Sequence, residues 1–177
     1  MSPINSDVSA EFQTFLQKVR LLDLKPIAAQ LMHSQPQRSS KSIIRAIADY
    51  LEFLYLVDRH PHFRLVPTVE VDQVWHHHIL DTRKYAEDCQ ILFGKFIHHS
   101  AHAGNRSEEH RLAQLKAFAL TQALYRHYFG RTVGSVPADC EPLVEDVMME
   151  CSAVNSLVDE VFGVLGQSML SLGICYP

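Results

Sequence analysis

VDQVWHHHILDTRKY, residues 71–85, decides the fold class of this 177-residue chain. At about 100° per residue, Val71, Val74, Trp75, His78, Thr82 and Tyr85 fall in one broad sector, joined further on by Cys89, Leu92 and Phe96. That is the period of an amphipathic helix, not the alternation of a strand. The spacing predicts one central helix from about Val69 through Phe96, with a break at Gly94. Its core face carries His78, Tyr85 and Cys89 among apolar side chains, and a buried polar group must find a partner or cost free energy.

Helical period also governs the flanks. Phe12, Phe15, Leu16, Val19 and Leu22 recur at three and four, with Ser9 placed to cap them. Asp23 to Pro26 ends that helix or opens a short one, and His33 to Ser42 reads as loop. A helix from about Ser42 to Val57 has Ile43, Ile47, Leu51 and Leu54 as one stripe, widened by Ile44, Tyr50 and Val57. Pro61 and Pro67 make His60 to Thr68, with His60 and His62, a rigid connector of exposed histidines. Further helices are expected over Glu109–Phe129, ended by Gly130, and Cys140–Phe162. His127 lies near the end of the former, where the helix terminus would favour its protonated form. The expected fold is all-α, a single-domain irregular helical bundle of about five to six helices. It spans residues 1–177, with a polar loop at 98–109 and an apolar tail at 163–177 that docks on the core or on a partner, including a second copy in a homodimer.

Composition narrows the function. Sixteen basic and 20 acidic side chains leave a formal charge of -4, which supplies no field for wrapping a phosphate backbone, so nucleic acid is not expected. No apolar run approaches the length of a membrane span and the first residues do not read as a secretory signal, so the expected location is cytoplasmic. Cys89, Cys140, Cys151 and Cys175 are widely spaced without a CxxC pair, which reads as free thiols. No glycine-rich phosphate cradle points to ATP or nicotinamide cofactors.

Histidine carries the functional signal. His76, His77, His78, His98, His99, His102 and His110 make up seven of the 11 histidines. Neighbours on a helix diverge by about 100°, so at most two of the central three can share a centre. In the predicted helix Asp81 is three residues from His78 and four from His77. There it would be a direct ligand, a catalytic group, or the acceptor that fixes the tautomer of a ligating histidine. Asp72 and His76 pair at four residues on the opposite edge. His98, His99 and His102 are the nearest supply of further ligands, and Tyr85 is a candidate proton donor.

The pattern of Asp72, Trp75, His76, His78, Leu80, Thr82, Tyr85 and Cys89 resembles the glycine-rich domain-containing protein-like family, whose plant members carry further domains. The resemblance implies a helical domain in which Asp72, His76, His78, Asp81 and Cys89 are candidate functional positions. It brings no general reaction with it.

The expectation is a metal-binding helical protein holding a divalent metal, iron or zinc first, through His78, Asp81, His76, Asp72, His98, His99 and His102. Catalysis by Tyr85 and Asp81, iron oxygenase-like or zinc hydrolase-like, would act on a small molecule or peptide. The competing expectation is a non-catalytic helical adaptor in which the same histidines and aspartates form a buried hydrogen-bond network. Cofactorless acid–base chemistry is a third.

Overall fold

Ser39, Thr68 and Ser107 each stand just before a helix in extended conformation, and each side chain accepts a backbone N–H three residues on, from Ser42, Val71 and His110. These caps set three helix starts in a computed structural model that describes residues 6–99 and 107–134. Six helices and no strand occur among the described residues: α1 (Ser6–Val19), α2 (Lys25–Ser34), α3 (Ser40–Arg59), α4 (Val69–Leu80), α5 (Thr82–Phe93) and α6 (Glu108–Phe129). The protein is all-α. None of these helices is long and apolar enough to cross a membrane. The expected helix at 140–162, the tail at 163–177 and His102 lie outside the described residues.

α3 is the hub. Its face of Ile43, Ala46, Tyr50, Phe53 and Leu54 is buried, and it packs most extensively on α4, with α2 against both and α1 against α5. Lys25 and Pro26 open α2, where proline's missing N–H costs no helical bond. The helix then runs to Ser34, past the expected loop start. Ile44 does not widen the α3 stripe but stands 63% exposed, and Phe96, expected in the core, is 46% exposed.

The central helix is not continuous. It breaks at Asp81, whose backbone leaves helical angles (φ -86°, ψ 76°) and whose Oδ1 accepts the Lys84 N–H at 3.2 Å. A short carboxylate offers the chain a local alternative to the helical bond, and here that alternative starts a new helix. The bend exposes Thr82 and buries Asp88, which the unbroken helix placed only at the edge of the core face. α5 ends at Gly94, in the left-handed conformation that glycine adopts without strain (φ +69°).

α6 closes the bundle over α3. The Tyr125 hydroxyl donates to the Asp49 carbonyl, and the Arg131 guanidinium donates to the Asp49 and Glu52 carboxylates. Burial raises the Glu52 pKa against the opposing pull of Arg131. The connector at 60–68 is tied to α6 where the Val66 N–H donates to Thr121 Oγ1 at 3.0 Å. His60, expected to be exposed, is buried with its Nε2 3.1 Å from the Tyr128 hydroxyl, and burial lowers its pKa to about 4. His127 departs from expectation in the same sense: burial lowers its pKa.

Candidate metal centre and the buried histidine network

The three consecutive histidines point three ways. His78 turns into the core and is 1% exposed. Its Nδ1 lies 2.9 Å from the Tyr50 hydroxyl and its Nε2 2.9 Å from Asp88 Oδ2, which also accepts from Lys84 Nζ at 2.7 Å. One protonation pattern satisfies every member. Tyr50 donates to Nδ1 of a neutral imidazole, Nε2–H donates to the Asp88 carboxylate, and Lys84 balances that charge. Burial lowers the His78 pKa, and the neighbouring carboxylate opposes the shift only in part. With both ring nitrogens engaged, His78 has no lone pair left for a metal.

His77 is tied locally. Its Nδ1–H donates to the Gln73 carbonyl at 2.8 Å, and its Nε2 lies 3.2 Å from Ser34 Oγ. His76 projects outward to Asp72, with Nδ1 3.1 Å from Oδ2. The other carboxylate oxygen, Oδ1, meets Nε2 of His99 at 2.9 Å. The His76 and His99 rings are 4.7 Å apart. One ligand atom each from Asp72, His76 and His99 can be chosen so that all lie within 4.8 Å of one another. Among the described residues this is the one group of three or more such side chains that could hold an ion.

α4 supplies Asp72 and His76 one turn apart, and the chain after Gly94 folds back to supply His99. That return is pinned from inside. Trp75 Nε1–H donates to the Tyr85 hydroxyl at 2.9 Å, and Tyr85 donates to the Ile97 carbonyl at 2.6 Å, two residues before His99. The Trp75 ring also meets the His99 ring edge to face at 4.4 Å. Tyr85, expected as a proton donor, is buried, has its proton committed to the backbone, and has its pKa raised by burial. Its position makes it a positioning residue for His99.

Asp81 is not brought to the cluster, because its carboxylate caps α5. The His98 ring meets the Phe96 ring at 4.9 Å, tilted by 58°, and is not part of the cluster. Cys89 is a buried free thiol whose pKa is raised by burial. Sequence reasoning missed Tyr50 and Asp88 as the partners of His78. Asp88 had a signal in its four-residue spacing from Lys84. Tyr50 had none, since its hydroxyl meets His78 only through helix packing.

Asp72 and His99 also lie on the wall of a groove of about 450 Å³ between the connector, α4 and the returning chain. Val57, Pro61, Phe63, Leu65, Pro67 and Trp75 form its apolar lining, with Arg64 and His98 at its polar margin. Its lining is about equally polar and apolar, and its volume falls within the range of small-molecule sites.

Fold and site together define an all-helical protein with a histidine–aspartate cluster at the mouth of a groove. The chain belongs to the UCP032817-like family, whose sequence pattern matches residues 13–124. It is 34% identical over 90 residues to glycine-rich domain-containing protein 2 of Arabidopsis thaliana, covering 49% of this chain and 11% of that protein. To glycine-rich domain-containing protein 1 of the same plant it is 30% identical over 119 residues, 59% of this chain and 14% of the other. The resemblance read from Asp72 to Cys89 therefore holds, over a small part of each relative's length. No solved structure matches the chain.

Proposed function

We propose that Asp72, His76 and His99 bind a divalent transition metal, iron or zinc, and that the adjoining groove presents a small molecule to it. The observation that carries this is the convergence of two imidazoles and one carboxylate, with ligand atoms within 4.8 Å, from positions up to 27 residues apart. Two histidines and a carboxylate on one side of an ion leave positions open, which suits non-haem iron and catalytic zinc. A bound ion would supply Lewis-acid polarisation of a ligand oxygen. His78, Asp88 and Tyr50 form the supporting network, and Asp81 has a structural role only. A cytoplasmic location belongs to the same proposal, consistent with the buried free thiol of Cys89.

The test is metal analysis of tag-free protein, as purified and after reconstitution with Fe²⁺ or Zn²⁺. Near-stoichiometric metal is expected in the wild type and in Asp81→Ala, with loss in His76→Ala and His99→Ala variants that keep their helical circular dichroism. A wild type that cannot be loaded, or a His76→Ala/His99→Ala double variant that still loads fully, would sink the proposal. The non-catalytic adaptor would then be the better reading, supported by the saturation of His78 with protein partners alone.

A further inference from the structure

The groove has two chemically different kinds of lining. Phe63, Leu65 and Trp75 offer apolar surface, while Asp72 and His99 bring the metal cluster to the wall. Among the described lining residues Asp72 is the only acid. A divalent ion held by one carboxylate and two neutral imidazoles carries a residual positive charge, and Asp72 and His99 place it beside a space lined in part by hydrocarbon. An anionic oxygen donor is favoured over a neutral one at such an ion, because it offsets the residual charge. We infer that the groove binds a small monocarboxylate with an apolar body, its carboxylate on the Asp72–His76–His99 metal and its hydrocarbon against Phe63, Leu65 and Trp75. The inference rests on the metal-binding reading and adds the class of ligand to it.

Trp75 makes the groove observable, since it is the only tryptophan in the chain and both lines the cavity and touches His99. Cobalt(II) is the metal probe, because its visible spectrum responds when a carboxylate enters the coordination sphere. Phenylpropionate, its neutral amide and acetate are the ligand probes. In the cobalt-loaded wild type, phenylpropionate should change both the cobalt spectrum and Trp75 fluorescence, with half-saturation about tenfold or more below that of acetate and of the amide. Phe63→Ala and, independently, Leu65→Ala should erode the advantage over acetate while leaving cobalt affinity unchanged.

Equal binding of phenylpropionate and acetate would overturn the inference while leaving the metal site standing. So would a fluorescence titration with the same affinity in cobalt-free protein. Failure of cobalt to bind, or binding that survives His99→Ala undiminished, would remove the metal reading and the inference together, and the cobalt titration without ligand tells these cases apart.

Discussion

His78 and His76 are two residues apart and have opposite chemistry, because burial and not residue type sets what an imidazole does. His78 is held neutral between Tyr50 and the Asp88–Lys84 pair. Removing Asp88 would strand a buried N–H and a largely buried ammonium. Asp88→Ala should therefore cost about 3 kcal/mol in urea unfolding, and a loss under about 1 kcal/mol would mean that solvent reaches the network. His60 gives a pH dependence. Its folded pKa of about 4 lies below the 6.5 of the free side chain, so the unfolded chain binds more protons between those values. The stability is fully present above pH 6.5 and is lost as pH falls toward 4, by about 3 kcal/mol at most. His78 and His127, also lowered by burial, act in the same direction. Thermal melts across that window should show a shallower slope for His60→Gln than for the wild type, and parallel slopes would refute the assignment.

At the scale of elements, the decisive event is the break at Asp81. An unbroken helix from Val69 would set Asp81 beside His77 and His78 as a ligand or tautomer anchor. The cap instead turns α5 so that Tyr85, Asp88, Cys89 and Leu92 face the core shared with α4. The two roles predict different outcomes. Asp81→Ala should lower stability by about 1 kcal/mol, as loss of an N-cap does, with metal content unchanged, and Asp81→Asn should be nearly silent. Metal loss in Asp81→Asn would restore the ligand role. Gly94 matters here too, since its left-handed turn sends the chain back toward α4, where Tyr85 pins Ile97 and sets His99 against Asp72.

Over the whole molecule, the proposed metal site joins segments distant in sequence. It links the start of α4 to the chain after α5, and the groove beside it is completed by the connector tied to α6. A ligand that binds only this folded arrangement stabilises all of it. Free metal at about 100 times Kd should add roughly 2.7 kcal/mol, or about 5–10 °C in Tm for a chain of this size. The shift should disappear with a chelator and be absent in Asp72→Ala. A shift of equal size in that variant would place the ion elsewhere. The match to the two plant proteins covers 49–59% of this chain and 11–14% of theirs, so the same helical unit is expected within far longer chains.

The sequence by itself determined the helical class, the stripe of Ile43, Ile47, Leu51 and Leu54 on α3, the turn at Gly94 and the concentration of chemistry between Asp72 and His99. These are local properties, set by periodicity and by what a side chain does to its own backbone. The i,i+4 pair of Asp72 and His76 was legible for the same reason. Only the tertiary structure decided which histidine meets which carboxylate. His99 reaches Asp72 across 27 residues, and His78 finds Asp88 across ten and Tyr50 across 28, separations with no helical repeat. Those partners are chosen by how helices pack after a turn, and the choice at Asp81 between continuing a helix and capping a new one is settled by the core that each outcome buries.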